Sequence, residues 1–245
     1  MLANYDPENV SRITGVSVAS IEAAASLIAG AKKIAYHSWS GVAQHTNATQ
    51  TERAIATLYA LTGCFDQEGC NRIYASHPVN VVNSPTLMPK SQWDKALGLE
   101  EMPIGPPSQG WVHSQDIWHS VLEGTPYKIR GLIGFGANIL LSQSDTSLGQ
   151  QALEALEFYA HVDLFETPTS KYADILLPVN TAWEREGLRT GFESSAAAQD
   201  HIQLRKKMVS PRGGSRSDLE IVFDLACRLG MNEAFFDGNI EAALL

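Results

Sequence analysis

The segment Ala160-His-Val-Asp163-Leu-Phe-Glu-Thr167-Pro-Thr-Ser-Lys-Tyr-Ala-Asp174-Ile-Leu-Leu-Pro178 contains two apolar runs separated by polar residues. The first run, over residues 158–162, ends at a lone carboxylate, and the second, over 175–177, stops at a proline. This pattern predicts a buried strand, a turn and a short second strand. Because α/β proteins place ligand-facing polar groups at the carboxyl ends of buried strands, Asp163 is a candidate binding residue.

Residues 32–37, Lys-Lys-Ile-Ala-Tyr-His, predict an earlier strand, and a polar loop with Trp39, Gly41 and Gln44 follows it. Apolar residues at helical spacing then predict a helix that begins at residue 46 or 47 and ends at residue 62. A strand, a glycine-bearing loop and a helix form a unit that can bind phosphate at the helix N-terminus. Since the loop lacks the GxGxxG pattern, chemistry alone leaves two interpretations of Trp39, a ligand contact or loop packing.

Residues 130–138 repeat this arrangement, because a predicted strand runs into the turn Gly134-Phe-Gly136-Ala-Asn138 before a helix over 144–156. The glycines permit a positive φ or a close approach to the backbone. The carboxyl ends of parallel strands meet at one edge of a sheet. We therefore expect the turns at 38–44, 134–138 and 163–169 to converge on one rim.

The remaining segments are mostly helical. The further predictions are helices over 5–15, 18–29 (capped by Ser17), 91–97, 114–124 and 218–229 (capped by Ser217), short strands over 190–193 and 201–204, and a final short helix. Alternating strands and helices favour an α/β fold that is Rossmann-like and doubly wound, with a mostly parallel sheet and helices on both faces. We expect residues 1–245 to form one domain with a loop-rich insertion at about 74–127.

Composition excludes several classes of protein. With 18% charged and 44% hydrophobic residues, the 245-residue chain is typical of globular proteins. A net charge of -9 argues against nucleic acid as a partner. The two predicted helices near the N-terminus have no basic residue between Arg12 and Lys32, so they lack the phosphate contacts of a DNA-reading helix pair. No apolar run is long enough to predict a membrane span, and the polar N-terminus has no signal-peptide pattern. The three cysteines lack the CxxC spacing of zinc or iron–sulfur sites and suit a reducing compartment, which favours the cytoplasm over the periplasm.

Taken in order, four parts of the chain resemble the molybdopterin oxidoreductases of the dimethyl sulfoxide reductase and formate dehydrogenase type. The most specific part combines Thr-Pro-Thr-x-x-Tyr-Ala-Asp-Ile-Leu-Leu-Pro with Trp-Glu-Arg-Glu-Gly at 183–187. The parts are 39–44 with 51–63, 66–71, 134–138, and 163–178 with 183–187. The resemblance covers the family's third, dinucleotide-binding domain, and its order extends along essentially the whole chain.

This resemblance implies roles for individual residues in binding molybdopterin guanine dinucleotide. Gly41 and Gln44, with Trp39 beside them, match the family's first cofactor loop, and Gly136 and Asn138 match the second. Asp163 matches the carboxylate that pairs with guanine, and Thr167 lies in the turn next to it. A carboxylate offers two acceptors to the N1–H and 2-amino donors of guanine, so the chemistry agrees with this role. No catalytic residue and no metal ligand is assigned to the chain.

The resemblance also implies what lies outside these residues. In the family two such dinucleotides hold one molybdenum or tungsten ion, and an N-terminal region carries an iron–sulfur cluster. The sequence has neither that cysteine cluster nor the domain that supplies the metal ligand, so we expect an inactive piece of a larger enzyme, with no cofactor bound to the piece alone. Its expected partners are the remaining domains of the parent chain and electron-transfer subunits. The parent is expected to catalyse a two-electron, formate dehydrogenase-like reaction.

Other interpretations stay open at this point. The chain is alternatively a cofactor-free structural domain of a redox complex, as in a respiratory complex I subunit, or the nucleotide-binding middle domain of a thiamine diphosphate enzyme. Asp163 is alternatively a local turn cap. Asp174 is expected to bond the turn and start the next strand, and Glu184 and Glu186 are expected to form a structural corner with Arg185 or Arg189.

Overall fold

The computed structural model describes residues 4–75, 88–191 and 195–243. Contacts between Cα atoms divide the chain into two compact units. The first unit comprises Met1–His77 and Phe192–Asp200, and the second comprises Pro78–Gly191 and His201–Leu245.

Helices make up most of the regular structure. The α-helices are α1 (Pro7–Thr14), α2 (Val18–Gly30), α3 (Ser40–Ala43), α4 (Ala48–Thr62), α5 (Lys90–Trp93), α6 (Ser114–Glu123), α7 (Ile139–Ser142), α8 (Thr146–Ala155), α9 (Ala196–Gln199), α10 (Asp218–Arg228) and α11 (Ile240–Ala243). Short 3-10 helices span Pro106–Gln109, Thr169–Tyr172, Ala182–Glu184 and Glu233–Gly238. No single helix in the described ranges is long and apolar enough to cross a membrane; α1 and α2 meet the length and composition requirement only as a pair bent by 114°.

A parallel sheet lies at the centre of the second unit. It consists of β1 (Gly131–Phe135), β2 (Phe158–Asp163) and β3 (Ile175–Pro178), in the order β1-β2-β3. Both pairs are parallel, with Gly134 opposite His161 and Asp163 opposite Pro178. The strands β4 (Gly187–Thr190) and β5 (Ile202–Arg205) form a separate antiparallel pair. The α/β class with a mostly parallel sheet is confirmed.

Helices lie on both faces of this sheet. On one face Tyr159 packs in a buried cluster with Trp118 and Val121 of α6, Leu140 of α7, and Ala152 and Leu153 of α8. On the other face Ile221 and Leu225 of α10 line a cleft together with Ile133 and Phe158 of the strands. Since the side chains of a strand alternate between faces, the buried β2 supplies apolar groups to both.

Capping residues set the ends of the longer helices, and the predicted caps Ser17 and Ser217 are among them. Ser17 and Ser217 accept backbone N–H bonds at the starts of α2 and α10. Gly15 and Gly124 end α1 and α6 in the left-handed conformation that favours glycine. The predicted helices 5–15, 18–29, 114–124, 144–156 and 218–229 are confirmed to within two residues at each end.

The first unit departs from one sequence prediction. Residues 32–37 do not form a strand, and the backbone of Tyr36 instead bonds the side chain of Asn71, which donates to Tyr36 O at 2.7 Å and accepts from Tyr36 N at 2.6 Å. A strand needs a neighbouring strand for its backbone groups, and an amide side chain supplies that pairing for one residue only. Among residues 4–75 only Cys64 is buried, so the helices of this unit expose their apolar faces.

Two smaller predictions were wrong in extent. The helix predicted over 91–97 is the four-residue α5, and the strand predicted over 190–193 lies three residues earlier as β4, with Phe192–Ser194 outside the described residues. The short helix α7 was not predicted, because four residues are too few to show helical periodicity. Of the insertion expected at about 74–127, residues 76–87 lie outside the part of the chain that the structure describes.

Candidate functional site

The parallel strands β1 and β2 bring two of the predicted turns to the same edge of the sheet. Gly136 follows β1 directly and donates its N–H to Val162 O of β2 at 2.8 Å. Its φ of +56° favours glycine, and a Cβ atom built there would have no neighbour within 4 Å. The backbone therefore borders open space at this point, where a ligand can approach it closely.

Asn138 is held in place by a buried hydroxyl. The side chain of Thr169, which is 0% exposed, donates to Asn138 Oδ1 at 2.7 Å and accepts the N–H of Leu140 at 3.1 Å. This fixes the carboxamide plane of Asn138 at the start of α7. Within the described residues its Nδ2 group has no hydrogen-bond partner, so two donors remain for an anionic or carbonyl group.

Asp163 lies at the end of β2 with its side chain 17% exposed. Its Oδ1 atom accepts the N–H of Leu164 at 2.6 Å and has a longer contact of 3.5 Å with the N–H of Phe165. Its backbone carbonyl accepts the N–H of Val179 at 3.1 Å, which ties the strand end to the residue after β3. One oxygen is therefore anchored by the turn, while a carboxylate keeps further lone pairs for other donors.

Thr167 holds the turn between β2 and β3. Its N–H donates to Ser170 Oγ at 2.8 Å, and its Oγ1 accepts the N–H of Ser170 at 3.2 Å. These reciprocal bonds start the 3-10 helix Thr169–Tyr172 and explain the Thr-Pro-Thr-Ser sequence. A ligand contact through Thr167 stays a prediction.

Asp174 and Glu184 have structural partners. Asp174 accepts the N–H of Tyr159 at 2.7 Å and donates its own N–H to Tyr159 O at 2.8 Å, so it lies directly before β3 as expected but bonds strand β2 and not the turn. Glu184 caps its 3-10 helix through Thr181 and accepts the N–H of Arg212 at 2.8 Å. The N–H of Thr181, followed by its hydroxyl, lowers the pKa of the Glu184 carboxyl. Glu184 is therefore a corner residue, but the expected partner Arg185 pairs with Asp218 instead.

The predicted first cofactor loop belongs to the first unit. Trp39 precedes α3, is 78% exposed, and stacks on His37 with ring centroids 6.5 Å apart. Gly41 lies inside α3, and a Cβ atom there would have no neighbour within 4 Å. Gln44 ends the helix, donating its N–H to Ser40 O at 2.9 Å. The expectation that this loop shares a rim with the turns of the second unit stays a prediction.

Sequence reasoning missed two polar residues, Tyr159 and His161, that precede Asp163 on the same face of β2. Tyr159 is 1% exposed and His161 is 2% exposed. The Oη atom of Tyr159 lies 2.6 Å from His161 Nδ1, and His161 Nε2 lies 3.5 Å from Asp163 Oδ2. The available signal was the polar residue at every second position of an otherwise apolar run.

The described residues contain no group of three or more His, Cys, Asp and Glu side chains arranged to hold a metal ion. The polar groups at the strand ends instead comprise an anchored carboxylate, a fixed carboxamide and open backbone at a glycine. These groups fit the base and the phosphates of a nucleotide, because they pair a two-point acceptor with donors suited to anions.

The family model of molybdopterin oxidoreductase matches residues 20–228. Dopamine dehydroxylase of Eggerthella lenta is 31% identical over 97% of this chain, and formate dehydrogenase H of Escherichia coli is 28% identical over 94%. The structure of acetylene hydratase from Pelobacter acetylenicus matches 94% of the chain with a TM-score of 0.83 at 18% sequence identity, which shows a shared fold.

The chain belongs to the molybdopterin oxidoreductase family, since the family model matches most of its length. It spans 24% of the dehydroxylase, 33% of the formate dehydrogenase and 34% of the hydratase chain. The resemblance found from the ordered motifs is thereby confirmed.

Proposed function

We propose that this chain binds the guanine dinucleotide part of a molybdopterin cofactor within a molybdenum or tungsten oxidoreductase. The observation that carries the proposal is the Asp163 carboxylate, which lies at a strand end with one oxygen anchored by the N–H of Leu164 at 2.6 Å. An anchored carboxylate presents its remaining lone pairs in a fixed direction, which suits the two parallel donors of guanine.

The phosphates are assigned to the turn after β1. Gly136 leaves the backbone open, and the Nδ2 donors of Asn138 are held there by Thr169 at 2.7 Å from Asn138 Oδ1. Glycine backbone and oriented amides form concave sites for anions. Trp39, Gly41 and Gln44 are proposed as further contacts to the cofactor on the strength of the family's first loop.

The bound metal, with its pterins, supplies the exchange of two electrons with substrate. The residues of this chain bind and orient the dinucleotide and take no direct part in that exchange, so the isolated 245-residue chain is proposed to be inactive. The metal ligand, the iron–sulfur cluster and the electron-transfer partners are proposed to lie elsewhere in the enzyme. The formate dehydrogenase among the relatives favours a formate dehydrogenase-like reaction as the first to test.

The test is a calorimetric titration of the 245-residue chain with GDP and with ADP. GDP is expected to bind more tightly than ADP, and D163A is expected to weaken GDP binding by about 10-fold or more, because a partly buried pair of acceptor oxygens is lost. The control is D94A, which removes an exposed carboxylate of the same unit whose one ion-pair partner among the described residues is Lys90. Equal affinities of D163A and wild type for GDP would show instead a cofactor-free structural domain.

A further inference from the structure

Three polar side chains of β2 form a line from the core of the second unit to the edge of its sheet. Tyr159, His161 and Asp163 occupy every second position and so share one face. The first two are almost fully buried, whereas the Asp163 side chain is 17% exposed at the strand end. The neighbouring strands place only Gly134 and Leu176 beside His161.

The contacts assign the hydrogens of the His161 ring. Its Nε2 atom faces the Asp163 carboxylate at 3.5 Å and is buried without a hydrogen-bond partner among the described groups. A carboxylate only accepts hydrogen bonds, so the Nε2 atom carries a hydrogen. In the neutral ring Nδ1 then accepts the Tyr159 hydroxyl at 2.6 Å. Burial, followed by the nearby charge of Asp163, raises the pKa of Tyr159 to about 12, which keeps that hydroxyl protonated at neutral pH.

The distance of 3.5 Å between His161 Nε2 and Asp163 Oδ2 is an ion-pair separation and is long for a hydrogen bond. A buried N–H without an acceptor is unfavourable, and the terminal torsion of an aspartate is soft, so a small rotation of the carboxylate would close this contact. With Oδ1 held by Leu164 N–H, two protein donors then define the plane of the Asp163 carboxylate.

Gly134 makes room for this line of side chains. A Cβ atom at Gly134 would lie 3.0 Å from Tyr159 Oη, which is tighter than nine in ten real Cβ contacts. The buried tyrosine therefore favours glycine at the first position of the Gly-x-Gly sequence, whereas the second, Gly136, borders open space.

We propose that His161 is a positioning residue whose Nε2–H fixes the Asp163 carboxylate so that its outer lone pairs face both donors of a guanine base. This inference rests on the proposed function, because it assigns to His161 the specificity of the Asp163 site. The two-point contact distinguishes guanine from hypoxanthine, which lacks the 2-amino donor. Without His161, Asp163 keeps its charge but loses the fixed plane, so discrimination falls more than binding itself.

The first test determines which nitrogen of the His161 ring carries a hydrogen. A long-range ¹⁵N–¹H correlation spectrum of the chain at neutral pH is expected to show His161 with hydrogen on Nε2 and none on Nδ1. In Y159F the Nδ1 resonance shifts, because its donor is lost. A ring with hydrogen on Nδ1 alone would overturn the proposal, whatever the chain binds.

The second test compares GDP with inosine diphosphate by calorimetry. H161L is expected to reduce the preference for GDP by about 5-fold, since one of two oriented hydrogen bonds is weakened. H161Q, whose amide can place a donor near the position of Nε2, is expected to retain the preference to within about 2-fold. Thermal unfolding of each variant checks that it is folded, and H161Q keeps the test valid if H161L is not.

The outcomes separate the two proposals. If H161L keeps the wild-type preference for GDP over inosine diphosphate while D163A loses that preference, the role of His161 is overturned and the proposed function stands. Wild-type GDP binding in D163A would overturn both. Loss of the preference in H161L, with its recovery in H161Q, supports both.

Discussion

The two units of the chain start their helices with the same chemistry but differ in what their apolar side chains contact. Ser17 begins α2 in the first unit and Ser217 begins α10 in the second, and each accepts a backbone N–H three residues later at 3.2 Å. Yet α2 buries none of its residues, whereas α10 buries Ile221 and Ala226. Local signals therefore fix where a helix begins, and burial depends on a matching apolar surface elsewhere in the unit.

The two candidate cofactor loops show the same difference. Gly41 lies in an exposed one-turn helix, while Gly136 follows β1 and is bonded to Val162 O of the buried strand β2 at 2.8 Å. In the second unit the surrounding structure determines the position of each polar group at the strand ends. Asp163 and Asn138 therefore support the proposed function more strongly than Trp39 or Gln44 do.

The largest expected contrast is between two leucines. L153A removes a side chain that is 2% exposed in the core of the second unit, so it is expected to lower the free energy of unfolding by about 2–5 kcal/mol. L27A removes a side chain that is 76% exposed in the first unit, and it is expected to change the free energy of unfolding by less than about 0.5 kcal/mol. Urea unfolding followed by circular dichroism measures both, and equal losses would contradict the difference between the units.

Alanine substitutions of the two loop glycines, Gly136 and Gly41, are expected to change stability in opposite directions. G136A forces alanine into a φ of +56° and should destabilise the second unit by about 1 kcal/mol or more. G41A replaces a helical glycine that has open space around it, so it should stabilise by about 0.5–1 kcal/mol. The melting temperatures of the two variants, each compared with wild type, measure the sign of the stability change. A stabilising G136A would show that its turn is not held as described.

The helix caps should behave alike in both units, because capping is local. S17A and S217A are each expected to cost about 1 kcal/mol of helix stability, since each leaves a backbone donor without its acceptor. Hydrogen exchange of the first-turn amides of α2 and α10 measures this cost, with the exposed Ser210 replaced by alanine as the control. A loss confined to α10 would mean that burial, and not the cap, sets the helix start.

The smallest expected effect on stability at neutral pH comes from the raised pKa of the buried Tyr159. The pKa of Tyr159 is raised from 10.0 to about 12, so the folded state keeps its proton where the unfolded state loses it. The resulting stabilisation is fully present below pH 10 and is lost as the pH rises towards about 12. Phenolate absorbance should show one late titration step that Y159F lacks. A Y159F titration that matches wild type at every pH would contradict the burial of this hydroxyl.

Much of the second unit could be predicted from the sequence, because its signals are local and agree with one another. The apolar run before Asp163 gave β2, the glycines after β1 gave the turn, and Ser217 gave the start of α10. The family match could be inferred from the order of the motifs. These features depend on neighbouring residues, which a single sequence displays.

The features that the sequence did not reveal depend on partners that are distant along the chain. Residues 32–37 have the composition of a strand, but the side chain of Asn71 bonds Tyr36 in place of a strand neighbour. His161 looks like a lone polar residue within an apolar run until its ring is seen between Tyr159 and Asp163. Periodicity reports which face a residue occupies and not what it meets there.

The most direct test of the central claim is a crystal structure of the chain bound to GDP. The account predicts that guanine N1 and the 2-amino nitrogen each lie about 2.7–3.2 Å from an oxygen of Asp163, with the phosphates near Gly136 and Asn138. A structure in which guanine binds elsewhere, and the Asp163 carboxylate meets only Leu164 N–H and His161, would contradict it.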